Sequence, residues 1–141
     1  MKSVPITRQL LFWIIVVVTC GWDLYTKYTV FTELGFPNGV RPWVKSFFGG
    51  GVLFRYHTTF NHGALWGLGQ GMSPGFAALS FVAIIAVLYW LFIQGHAKSL
   101  WLTISLASIM GGTLGNLYDR LALHGCRNAA GELEHAVRDF L

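Results

Sequence analysis

Two runs without a charged residue, Phe76–Ile93 and Leu100–Tyr118, decide what this chain can fold into. They hold 18 and 19 residues and are separated by only six, Gln94–Ser99. At about 1.5 Å of rise per residue, each makes a helix long enough to cross a bilayer core of roughly 30 Å. The short polar turn predicts antiparallel neighbours, and Trp90 and Trp101 flank it where an interfacial aromatic belt would lie. A third uncharged run, Leu10–Trp22, reaches 22 residues if continued to Phe31, with Asp23 and Lys27 at its far end. Composition points the same way. Only 11% of the 141 residues are charged, against about 25% in soluble domains. So few charges cannot cover a small sphere in water, and 54% hydrophobic residues exclude disorder. The expectation is one membrane-embedded domain over residues 1–141, with spans at about 10–31, 76–93 and 100–118.

The net charge of +4 is scattered without a basic run, which fits an anionic membrane surface and argues against a nucleic-acid partner. Lys2 and Arg8 before an apolar run resemble the start of a signal peptide, and Val18-Thr19-Cys20 loosely resembles a cleavage box. Thr19 is larger than such a box wants before its cysteine, and the rest of the chain is itself membrane-like. The first run therefore reads as a retained signal-anchor helix. Between the first two spans, Gly35–Gly51 is rich in Gly and Pro, and Val52–Phe60 is β-branched and aromatic, predicting one short strand at the interface. The last stretch, Leu121–Leu141, reads as polar with a Gly-rich turn. Orientation stays open on charge alone. Lys2, Arg8 and Lys98 lie on one side, and Lys27, Arg41, Lys45, Arg55, Arg120, Arg127 and Arg138 on the other, together with all six acidic residues.

Ionisable groups are costly near hydrocarbon, so each asks for a reason. Asp23 and Lys27 stand at i, i+4 with the acid first, the favourable order for a helical ion pair. They either neutralise a helix end or brace an active surface. Asn61-His62-Gly63-Ala64 follows the predicted strand. Gly63 permits close backbone approach and Asn61 offers both donor and acceptor, although a plain turn explains them as well. His62 reads as a turn residue rather than a base. Gly111 and Gly115 form a small-xxx-small pair that admits a neighbouring helix. Asn116, Asp119 and Arg120 then come at the exit of the third span, with Asn116 on one face with both charges and Asp119 paired to Arg120. Asp139 in Ala136-Val137-Arg138-Asp139-Phe140 is a lone carboxylate beside apolar neighbours. Cys20 and Cys126 make no disulfide framework. Cys126 has His124 and His135 nearby, but the spacing matches no standard zinc pattern, so no metal and no cofactor are expected.

Taken together and in order, these motifs resemble the lipoprotein signal peptidases (signal peptidase II). That family reads Asp-x-x-x-Lys, Asn-x-Gly-Ala, Gly-Asn-x-x-Asp-Arg and Val-x-Asp-Phe, here Asp23/Lys27, Asn61/Gly63/Ala64, Gly115/Asn116/Asp119/Arg120 and Val137/Asp139/Phe140. The resemblance covers essentially the whole chain. It implies a membrane all-α helical bundle with a small β-cradle on the periplasmic side, three transmembrane helices of an expected four, and both termini in the cytoplasm of a bacterial inner-membrane protein. It implies an intramembrane aspartic endopeptidase that removes signal peptides from diacylglyceryl-modified prolipoproteins just before the lipidated cysteine. Asp139 would be one catalytic carboxylate, supported by Asp23, Lys27, Asn61, Gly63, Asn116, Asp119 and Arg120. The family's second aspartate lies in an Asn-x-Ala-Asp motif at the start of a fourth helix, and these 141 residues hold no such motif. On the resemblance the chain is incomplete at its C-terminus, and an inactive fragment is one alternative. A non-catalytic three-span binding or transporter-subunit protein is another, although neither broken helices nor internal symmetry is visible. Asp119 and Asp139 are farther apart than in the family pattern, which makes Leu121–Glu134 an insertion of unassigned contacts. Oligomeric state stays open.

Overall fold

A computed structural model describes residues 4–35, 39–40, 44–45, 52–54, 56–64 and 68–140. Lys2, Arg41, Arg55 and most of the Gly/Pro-rich stretch 35–51 lie outside them. Among the described residues three helices are long and apolar enough to cross a membrane: α1, Ile6–Leu34; α2, Ser73–Leu88, which runs on as a π turn over Tyr89–Ile93; and α3, Leu100–Arg120. All three predicted spans are present, with wider ends. The first helix starts directly after Pro5, whose fixed φ suits a helix entry, and stops at Gly35, where φ is +72°. Its 29 residues reach about 43 Å, so its ends project beyond the hydrocarbon.

The turn between α2 and α3 is tight, as expected. Gly95 adopts a left-handed φ of +80°, a single 3₁₀ turn covers His96–Lys98, and Ser99 caps α3 with its hydroxyl accepting from the Leu102 N–H. Near this end Phe12, Val16, Leu91, Ala97, Ala107 and Met110 form the apolar core, with Phe12 and Phe92 edge to face at 5.1 Å. The first helix packs mainly on the third. A Cβ on Gly111 would collide with Thr19, and one on Gly115 with Asp23. These glycines are therefore where the two backbones come together, as the small-xxx-small spacing predicted.

The strand reading needs correction. Val52–Phe60 is not one strand but two with different partners. β1 (Val44–Lys45) pairs antiparallel with β2 (Val52–Phe54), whereas β3 (Thr59–Asn61) pairs antiparallel with β4 (Val137–Asp139). The reason for the break is visible at Thr58. This buried residue turns its hydroxyl onto backbone, accepting from the Gly39 N–H and donating to the Gly35 carbonyl, both at 2.9 Å. The C-terminal stretch is corrected likewise, because it returns as a strand. In the second sheet Thr59 faces Asp139, Phe60 faces Arg138 and Asn61 faces Val137. The sheet closes against the polar end of the helices, and this places the site.

Candidate active site

Two adjacent clusters form at that end. The first is a buried charge lattice between α1, α3 and β4. Lys27, 4% exposed, places its ammonium 2.7 Å from Asp23 Oδ2, 2.9 Å from Asn116 Oδ1 and 3.3 Å from Asp119 Oδ2. Asp119 is fully buried, and Arg138 grips it from β4. The Arg138 backbone N–H donates to Oδ2 at 3.0 Å, Nε donates to Oδ1 at 3.0 Å, and Nη2 lies 2.8 Å from Oδ1. Two carboxylates and two cations cancel. A buried charge survives only when paired and hydrogen-bonded in this way.

The expected Asp119–Arg120 pair does not form. Neighbours on a helix point about 100° apart and do not face each other. Asp119 turns inward to the lattice. Arg120 turns to the second cluster, donating from Nη2 to the Gly63 carbonyl at 2.7 Å and lying 5.0 Å from the Phe76 ring centroid. Asn116 touches both clusters, since it bonds Lys27 and also lines the neighbouring cavity.

That cavity, about 460 Å³, is walled by Phe76, Leu79 and Ala83 on the apolar side and by Asn61, Gly63, Asn116, Arg120 and Asp139 on the polar side. Asn61 organises it. Its Nδ2 donates to Asp139 Oδ2 at 3.0 Å and to the Ala64 carbonyl at 3.1 Å, while Oδ1 accepts the Gly63 N–H at 2.9 Å. The Asn61–Asp139 bond is a diagonal cross-strand contact, so the β3–β4 register creates it. Alternation along β4 sends Asp139 to the cavity and Arg138 to the lattice. All eight predicted site residues thus gather in two touching groups: Asp23, Lys27 and Asp119 in one, Asn61, Gly63, Arg120 and Asp139 in the other, and Asn116 between them.

Sequence reasoning missed Arg138 and Glu134. The signal for Arg138 was a charged residue at an inward position of a strand, invisible while that strand was read as a polar tail. Glu134 lies in the stretch 121–134, which does have contacts. Its Oε1 is 3.0 Å from His62 Nε2, and His135 Nδ1 is 3.0 Å from the Arg120 carbonyl. Within that stretch burial lowers the pKa of His124, Asp119 opposing the shift, and the ring accepts the Cys126 N–H at Nδ1. Burial raises the Cys126 thiol above its ordinary range. Among the described residues no three His, Cys, Asp or Glu side chains come together as a metal site.

Three helices able to span a membrane, with a carboxylate in a half-apolar cavity at one end, define the class: an integral membrane protein. Comparison makes this specific. The family model described as signal peptidase (SPase) II matches residues 15–141, and the chain belongs to that family. It is 34% identical to a lipoprotein signal peptidase of Rhodopirellula baltica over 139 residues, covering 97% of this chain and 60% of that one. A Francisella tularensis subsp. novicida lipoprotein signal peptidase is 33% identical over 117 residues, covering 79% and 67%. One from Pseudomonas fluorescens is 42% identical over 74 residues, covering 50% and 43%. No solved structure matches. The chain therefore spans about 60% of the Rhodopirellula relative's length, and family and helices together make it an integral bacterial membrane protein.

Proposed function

We propose that this chain carries the substrate-binding surface and one catalytic carboxylate of a lipoprotein signal peptidase, as a single peptidase domain. Its reaction would be hydrolysis of the peptide bond preceding the diacylglyceryl-modified cysteine of a bacterial prolipoprotein. The observation that carries this reading is the Asp139 carboxylate, held by Asn61 in a cavity also lined by the apolar Phe76, Leu79 and Ala83. The apolar wall suits the lipid and signal-peptide portions, and the polar side faces the scissile amide. Asn61 keeps one carboxylate oxygen oriented. Arg120 holds the Gly63 carbonyl, which stiffens the turn an extended peptide would lie along.

Aspartic proteolysis needs a second carboxylate, so that one acid takes the proton of the attacking water while the other, protonated, polarises the carbonyl. Asp139 is the acidic residue on the cavity wall among the described residues. Asp119 cannot stand in, because Lys27 and Arg138 engage both its oxygens. The proposal therefore takes the second acid from a segment outside these 141 residues. We place the site at the outer-leaflet side, with the N-terminus cytoplasmic. Exposed Trp22, Tyr25 and Tyr28 on α1 support an interfacial position for this end.

The test begins with the reading frame beyond codon 141, where an Asn-x-Ala-Asp motif before an apolar run supports the proposal. Membranes holding the full product should then cleave a lipid-modified prolipoprotein, and Asp139→Asn should abolish cleavage without reducing the amount of protein. Retained cleavage by Asp139→Asn would overturn the assignment.

A further inference from the structure

We propose that His62 and Glu134 form a latch through which the stretch 121–134 positions the Asn61–Gly63 turn, and with it Asp139. This makes both positioning residues, and it rests on the proposed peptidase reading. β3 ends at Asn61 and β4 begins at Val137, so ladder pairing stops at the Asn61–Val137 rung. One residue beyond it on one strand and three on the other, His62 Nε2 and Glu134 Oε1 meet at 3.0 Å and extend the cross-strand connection past the last rung.

The turn needs this tie because of what it carries. Asn61 spends one N–H on Asp139 and the other on the Ala64 carbonyl, and the Gly63 carbonyl takes Arg120. His62 sits between these two. The cavity is lined by Asn61 and Gly63 but not by His62. It acts on the site through the backbone.

The latch is not a loose surface pair. The Glu134 side chain is 15% exposed and that of His62 35%, while the second ring nitrogen, Nδ1, is buried without a hydrogen-bond partner among the described residues. Burying that nitrogen is unfavourable, and the Nε2 contact with Glu134 contributes against that cost. The same stretch is tied down within it by His124, 6.0 Å from the Phe60 ring, and at its end by the adjoining His135, whose Nδ1 is 3.0 Å from the Arg120 carbonyl. Its route therefore leads from the end of α3, around the back of the sheet, to the turn that holds Asp139.

The test measures kcat and KM separately for the full membrane-embedded protein on a lipid-modified prolipoprotein. It compares wild type, His62→Gln, Glu134→Gln, the double variant, and the reciprocal exchange His62→Glu with Glu134→His. Each single change should lower kcat roughly tenfold with KM nearly unchanged. The double should fall no further than the worse single, and the exchange should recover most of the loss. Wild-type kcat in the singles, or losses that multiply in the double, would overturn the latch. Asp139→Asn run alongside separates the two ideas. If wild type is as inactive as that variant, the peptidase reading fails, and amide exchange at Gly63 and Ala64 decides the latch. Those amides bond Asn61 Oδ1 and the Leu68 carbonyl, so both singles should speed their exchange and the reciprocal exchange should slow it again. Unchanged exchange would overturn it.

Discussion

The charge lattice and the cavity lie side by side, draw on the same motifs, and are built on opposite principles. In the lattice Asp23, Lys27, Asp119 and Arg138 are mutually compensated, and all but the partly exposed Asp23 are buried. In the cavity Arg120 and Asp139 face open space with polar capacity to spare. Two neighbouring pairs of opposite charge supply both: Asp119-Arg120 and Arg138-Asp139 each send one member to the lattice and the other to the cavity. Adjacency along the chain therefore predicted the wrong partner for Asp119. Helical neighbours diverge by about 100° and strand neighbours by about 180°, so a consecutive acid–base pair serves two environments at once. The lattice holds the elements; the cavity is left free to do chemistry.

Exchanging like for like across the two clusters tests this division. Asp119→Asn leaves Arg138 buried without its charge, and breaking a buried pair costs about 3–5 kcal/mol. Asp139→Asn removes one hydrogen-bonded oxygen at an open site and should cost about 1 kcal/mol of stability, while abolishing the proposed cleavage. Unfolding in detergent micelles measures the first quantity and prolipoprotein cleavage the second; equal losses of stability would erase the distinction. The arginines repeat it at smaller scale. Arg138→Met should destabilise by about 3 kcal/mol and Arg120→Met by about 1, read from the same unfolding curves. Gly115→Val probes the seam beneath the lattice, since its side chain would have to displace Asp23, with an expected cost of about 1–3 kcal/mol.

The smallest effect concerns the stretch 121–136, and its sign follows from linkage. Burial holds His124 below its ordinary value of 6.5, so between that lowered value and 6.5 the unfolded chain binds more protons than the folded one. Stability of this stretch then falls as pH drops through that window and levels off below it. The Cys126 amide, which donates to His124 Nδ1, should lose protection in parallel, and His124→Gln should flatten the profile. Hydrogen exchange of that amide against pH checks both statements.

Much was legible before any coordinates. The charge-free runs determined three spanning helices, because length and apolarity alone satisfy a helix in lipid. The i, i+4 spacing determined the Asp23–Lys27 pair, and the small residues at 111 and 115 determined where a second helix could approach. Such features depend on local geometry that repeats along any helix. What the chain could not reveal is set by contacts across long separations. The run 52–60 looks like one strand until Thr58 is seen bonding Gly35 and Gly39. Residues 137–139 look like a tail until they are seen beside 59–61, some 78 positions away at the Asn61–Asp139 bond. Arg138 is legible as buried only once it is known to lie on a strand between α1 and α3.

The sequence by itself thus determined the solvent, the helices and the family, since each rests on composition, spacing or motif order within short windows. Beyond the Asp23–Lys27 pair, the tertiary structure alone decided which charge meets which. A buried ion chooses its partner by distance in space, and only the β3–β4 pairing brings Asp139 to Asn61, Arg138 to Asp119 and Glu134 to His62.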